Sequence, residues 1–174
     1  IVQYTAAAIV NDLASRAMPT SVYSIPTSAN AEDHVSMGAN EARHVLAMTA
    51  DLAKVLGLEL ATAAQALDFR RDMLNAAKAL AQEADLDAFA AKIQGAPLPS
   101  APNRTAFMEE VEGMRRELID ADSFHPGRIV SAAYAEVRRH VAFMGRDRAL
   151  DGDVAAAVRM VESGAVLAAA REAS

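Results

Sequence analysis

The sequence predicts an all-α fold, a bundle of long helices, and three observations carry that expectation. Apolar residues recur at three- and four-residue spacing along most of the chain, and no run alternates apolar with polar residues for long enough to make a half-buried strand. Of 174 residues, 52% are hydrophobic, enough for one core and for surface shared with a partner. Residues 1–18 make the first helix, stopped by Pro19, whose ring cannot continue it. IVQYTAAAIVNDL opens with no capping residue and no polar lead, so a helix is entered part-way, as expected of a portion of a longer chain. Residues 39–81 form the main helix. Val45, Met48, Leu52, Val55, Leu56, Leu60, Ala63 and Leu67 make one apolar stripe, expected to face the core. A continuous helix of that length spans roughly 60 Å, so its far end is expected to pack on other subunits. LELATAAQAL at 58–67 is apolar or small nearly all round, which suits a helix with neighbours on every side. Gly57 costs about 1 kcal/mol relative to Ala in mid-helix, which points to a kink or a close helix contact.

Residues 94–103, QGAPLPSAPN, hold three of the six prolines and read as a linker. Beyond them, 105–121 form a charged helix with Phe107, Met108, Val111, Met114 and Leu118 on one side. After a turn at His125, Pro126 and Gly127, two last helices are expected at 128–143 and 152–172, joined through DRALDGD.

Composition removes several classes of function. A formal net charge of −6 gives no basic stripe for displacing counterions from phosphates, and no Trp with 5% aromatics serves base stacking poorly, so nucleic acid is not expected as a partner. The chain has no Cys, which excludes disulfides and zinc-thiolate sites and agrees with a reducing cytoplasm. No segment has the make-up of a signal peptide or the length of a membrane span. A small molecule and further protein subunits are the expected partners.

Residues 21–38, SVYSIPTSANAEDHVSMG, read as a loop that builds a site. Pro26 fixes one backbone angle and biases Ile25 toward extended geometry, while Ser24, Thr27, Ser28 and Asn30 can bond their own backbone. Glu32 thereby gains a rigid platform. The same composition also describes a loop that merely ends in a helix cap.

The order SIPTSAN-x-EDHVSMG, with QYTAAA at 3–8, AAQALDFR at 63–70 and DRALDGDVAAAVRMVESGAVLAAA at 147–170, closely resembles the C-terminal half of the histidine ammonia-lyase family of aromatic amino acid lyases. The resemblance implies elimination of ammonia from an aromatic α-amino acid, giving urocanate when the substrate is L-histidine. It also implies a methylidene-imidazolone electrophile (MIO), made in that family from an internal Ala-Ser-Gly triplet. That triplet is absent here, since Ser163 and Gly164 follow Glu162, so the electrophile and its partner tyrosines and arginine are expected upstream and this stretch alone is expected to be inactive. Glu32 matches the family's active-site glutamate, a carboxylate able to meet an imidazole nitrogen or the substrate ammonium and to relay a proton. Ser28 matches a substrate-pocket position. Glu rather than Gln at 32 favours histidine, whereas Ala31 in place of the common Gln and Tyr23 in place of Asp leave open a tyrosine or phenylalanine lyase or a 2,3-aminomutase. The family's homotetramers, with each site drawn from three subunits, imply such an assembly in a cytoplasmic enzyme. Three regions follow: 1–82 with the site loop and central helices, 83–125 as a helical insertion with its Pro-rich linker, and 126–174 as C-terminal helices.

Two other classes are carried alongside. Glu41 and His44 make one Glu-x-x-His pair of the di-iron type, but Glu136 and His140 have the wrong spacing to be the second. His34, beside Asp33, reads as a structural hydrogen-bonding residue. The remaining class is a helical assembly scaffold with no chemistry of its own.

Overall fold

A computed structural model describes residues 2–32, 36–83, 85–94, 104–120 and 124–174. Among these are seven α-helices: α1 Val2–Arg16, α2 Gly38–Glu83, α3 Leu86–Gln94, α4 Arg104–Asp120, α5 Arg128–His140, α6 Asp151–Glu162 and α7 Ala165–Glu172. Short 3₁₀ turns at Thr20–Tyr23 and Ser28–Asn30 lie between α1 and α2. The all-α class expected from periodicity is therefore the one observed, and no helix among the described residues is long and apolar enough to cross a membrane. The prolines of the 94–103 linker lie outside the described residues. The chain divides into two compact units, Ile1–Gln65 with Arg128–Ser174, and Ala66–Gly127.

In the first unit, Ala64 of α2, Val137 and Val141 at the end of α5, and Ala157 and Met160 of α6 form the buried core, with Leu60, Ala61, Tyr134, Ala165 and Val166 packed around them. Burying side chains the size of Val137, Val141 and Met160 stabilises by about 1.5–3 kcal/mol each. Gly57 meets α6 directly: a Cβ placed on it would stand 3.0 Å from the carbonyl carbon of Ala157 and 3.1 Å from its Cβ. Of the two outcomes expected for this glycine, close helix contact is therefore the one found.

That contact corrects the reading of the large apolar stripe. Val45, Leu52 and Leu56 are 62%, 48% and 40% exposed in the chain, and Ala63 is exposed too, while Ala53, Leu58 and Ala64 are buried. Two helix backbones approach this closely only where side chains are small, so Ala53, Gly57 and Ala64 turn inward beside Leu58, Leu60 of the stripe still packs on the core, and Val45, Leu52 and Leu56 are left outward.

The long final helix expected at 152–172 is two helices. Gly164 takes φ 70°, a left-handed conformation suited to glycine, and the Ser163 and Gly164 N–H groups bond back to the carbonyls of Arg159 and Val161. This break turns α7 back onto α5.

The connection from α5 to α6 is irregular but well bonded. Gln65 accepts the Met144 N–H at 3.1 Å and donates to the Met144 carbonyl at 3.1 Å, so one amide side chain pairs with both backbone groups of a single residue. Arg148 pairs with Asp153 at 3.0 Å and donates to the carbonyls of Ala142 and Phe143. On α5 the buried Glu136 accepts from His140 at 3.0 Å and pairs with Arg139. These contacts hold its carboxyl below the ordinary value, the His140 hydrogen bond contributing most, with Arg139 adding to it and burial opposing.

In the second unit, Ala81, Phe89, Ala90 and Val111 are buried, with Leu80, Leu86, Phe107, Met108 and Leu118 around them. Asp85 caps α3 by accepting the Ala88 N–H at 2.7 Å, and Arg115 of α4 donates to the Ala81 carbonyl in the last turn of α2 at 2.8 Å. The α4 stripe faces inward as expected, except that Met114 sits at its rim, 39% exposed.

Two outcomes follow. Gly57→Leu, whose side chain has no room against the Ala157 backbone, lowers unfolding free energy by about 1–3 kcal/mol. Gly113→Ala, in mid-α4 with open space around it, raises it by about 0.5–1 kcal/mol; denaturant melts compare the pair. For Glu136, a depressed folded pKa contributes stability that is present above the ordinary value of 4.5 and is lost as pH falls through the lower folded value. Glu136→Gln therefore shows a smaller loss of stability than the parent between pH 7 and the acid side of pH 4.5, measured by melts across that range.

Candidate functional site

The loop between α1 and α2 is held to the main helix at both ends. At its start, Arg16 in the last turn of α1 donates to Asp51 of α2 at 2.8 Å and also pairs with Asp12, while Lys54 reaches the other oxygen of Asp51 at 2.7 Å. These cations hold the Asp51 carboxyl below its ordinary range, the Lys54 hydrogen bond contributing most, burial opposing it, and Arg16 adding to the depression. Pro19 then breaks the helical path. Immediately after it, the Thr20 N–H donates to Glu41 Oε1 at 3.0 Å and the Thr20 hydroxyl lies 3.4 Å from the Met37 carbonyl. One carboxylate in the first turn of α2 thus ties the beginning of the loop to its end and also sits where the helix dipole favours negative charge.

Within this frame the segment 27–32 forms a small closed turn. Thr27 and Glu32 face each other as an antiparallel bridge, with Thr27 N–H to Glu32 O at 3.0 Å and Glu32 N–H to Thr27 O at 3.3 Å. Ser28, Ala29 and Asn30 between them all take positive φ, at 52°, 54° and 67°. A left-handed conformation costs roughly 1–2 kcal/mol per non-glycine residue, so three in succession persist only because the flanking pair closes the turn. Ala31 adds its N–H to the Ser28 carbonyl at 3.0 Å.

The two residues singled out from the sequence therefore lie on one turn. Ser28 opens its left-handed stretch and Glu32 closes the turn through its bridge to Thr27, and both are exposed in this chain. The Glu32 carboxylate accepts from the Thr27 hydroxyl at 3.2 Å, through Oε2. Asp33, His34 and Val35, and with them the structural reading of His34, lie outside the described residues.

Tyr23, one of the two departures from the family pattern, is 70% exposed, with its hydroxyl 3.8 Å from Met18 Sδ. It helps line an open cleft of about 440 Å³ with Met18, Met37, Asn40 and His44 at the junction of loop and α2.

Sequence reasoning missed the parts that position this loop. Thr27 and Thr20 were two hydroxyls among many, and their partners lie 5 and 21 residues away. Glu41, one half of the Glu-x-x-His pair, has one of its oxygens engaged by the Thr20 N–H. No group of three or more His, Asp or Glu residues is arranged to hold a metal ion among the described residues.

Comparison with known proteins bears on the region that builds this turn. Residues 1–91 match the sequence model described as aromatic amino acid lyase. The histidine ammonia-lyase of Natranaerobius thermophilus is 55% identical over 71 residues, which cover 41% of this chain and 14% of that protein. The histidine ammonia-lyase of Deinococcus radiodurans is 54% identical over 71 residues, with the same coverage. The matched stretch is thus a small part of either relative. No solved structure matches the chain. The family match spans more than half of the 174 residues, including α1, the Thr27 to Glu32 turn and all of α2, and on that ground the chain belongs to the aromatic amino acid lyase family.

Proposed function

We propose that the intact protein of which this chain is part eliminates ammonia from L-histidine to leave urocanate, and that Glu32 is the carboxylate this stretch contributes to the reaction. The reading is carried by one coincidence: a family match over 1–91 that includes Glu32, in a chain whose fold spends backbone strain on holding that residue. Two relatives named histidine ammonia-lyase, 55% and 54% identical over the shared stretch, support histidine as substrate.

Elimination needs a base for a weakly acidic carbon-bound proton and a hold on the departing ammonium. A carboxylate presented on a closed turn can accept a hydrogen bond from an imidazole N–H or from the substrate ammonium, and can take up a proton as the surroundings desolvate it. Glu32 is exposed in this chain, so its pocket is completed by other parts of the enzyme. Ser28, at the opposite end of the same turn, lines the substrate side in this reading.

The residues here do not form the MIO group. The only Ser-Gly pair, Ser163 and Gly164, makes the junction of α6 and α7, so the electrophile is supplied from sequence outside this stretch. The exposed apolar residues of α2, among them Val45, Leu46, Leu52, Leu56, Phe69 and Met73, supply surface for a homotetramer. A cytoplasmic setting agrees with the absence of cysteine.

The test is deamination by the intact enzyme on L-histidine, L-tyrosine and L-phenylalanine side by side, with Glu32→Ala and Glu32→Gln in parallel. Urocanate is the expected product, and kcat/KM falls by about 100-fold or more in Glu32→Ala. Product from tyrosine or phenylalanine alone transfers the assignment to those lyases, to which Tyr23 and Ala31 point, and a β-amino acid product transfers it to an aminomutase.

A further inference from the structure

The assignment of Glu32 leaves open what aims a long carboxylate side chain that is exposed in its own chain. Glutamate has three rotatable bonds and about 1.5–2 kcal/mol of side-chain entropy to lose on being fixed. Among the described residues, the Thr27 hydroxyl donates to the Glu32 carboxylate, at 3.2 Å to Oε2.

We propose that Thr27 is a positioning residue that holds the Glu32 carboxylate toward substrate, an inference that rests on the reading of Glu32 given above. Three observations combine. Thr27 and Glu32 exchange both backbone hydrogen bonds, so their Cα atoms form a directly opposed antiparallel pair with side chains on one face. Thr27 is β-branched and only partly exposed, so its side chain is stiff about its first torsion and its hydroxyl direction follows from the backbone. The left-handed run Ser28–Asn30 lies between the two partners, and the paired backbone of Thr27 and Glu32 closes it.

A hydroxyl donating to Oε2 neutralises none of the carboxylate's charge. It leaves Oε1 to accept from an imidazole N–H or an ammonium and removes rotamers in which the carboxylate turns to solvent. Thr27 touches no substrate in this scheme and acts only through Glu32. Serine at 27 keeps the hydroxyl but loosens the first torsion; valine keeps the shape and loses the donor.

The experiment is a double-mutant cycle in the intact enzyme, with kcat/KM on L-histidine as the readout and circular dichroism melts to confirm that each variant is folded. Thr27→Val is expected to lower kcat/KM about tenfold or more, as loss of a hydrogen bond to a charged group does, and Thr27→Ser to recover most of the loss. In a Glu32→Ala background, Thr27→Val is expected to have no further effect, because there is no carboxylate left to aim. An equal loss in both backgrounds, or no recovery with Ser, makes Thr27 a loop-forming residue only and overturns the proposal. Parent-level activity in Thr27→Val overturns it also, while the reading of Glu32 survives if Glu32→Ala remains impaired. Parent-level activity in Glu32→Ala overturns both.

Discussion

The approach of α2 to α6 at Gly57 governs the first unit. With the Ala157 backbone 3.0 Å from where a Cβ would stand, the two helices meet with little more than hydrogen between them. Only small residues tolerate that distance, so Ala53, Gly57, Ala61 and Ala64 turn toward the interior and the bulkier Val45, Leu52 and Leu56 are carried outward on the same helix. Helix position, core composition and the apolar exposed face are thus consequences of a single steric condition.

The same helix is the support on which the site loop rests. Asp51 and Glu41 lie on α2 and take hold of the loop through Arg16 and Thr20, one before Pro19 and one just after it. Between the Thr20 anchor and the start of α2 the chain holds a conformation that costs backbone strain. The left-handed run at Ser28–Asn30 stores strain in a turn of six residues, offset by the paired backbone of Thr27 and Glu32. The placement of Glu32 is therefore a property of the frame, although the residue itself is on the surface of this chain.

Much of this was readable from the residues where a local cause operates. Pro19 ends a helix wherever it stands, a 3.6-residue period over 39–81 leaves no competing structure, and helices at 128–140 and 104–120 came within a few residues of their expected ends. The small-residue seam was not readable, because alanine contributes little to an apolar stripe and gains its importance only from a partner helix at close range. The break at Gly164 was hidden for a related reason: an Ala-rich segment favours helix on both sides, and the glycine's left-handed φ shows itself only once α7 has somewhere to pack. At the candidate site, the order of the surrounding residues singles out Glu32 and Ser28. It does not single out the hydroxyls of Thr27 and Thr20, since composition does not say which of several threonines faces a carboxylate.

By itself the sequence determined the all-α class, the helix that carries the loop, and the family to which its motif order points. These rest on periodicity, on proline's fixed geometry and on residue identity, which are local properties of the chain. Only the tertiary structure decided which face of α2 is buried, where the last helix bends, and which donor holds the Glu32 carboxylate. Each of those depends on distances between segments far apart in sequence, and such distances are set by packing rather than by the preferences of any single stretch.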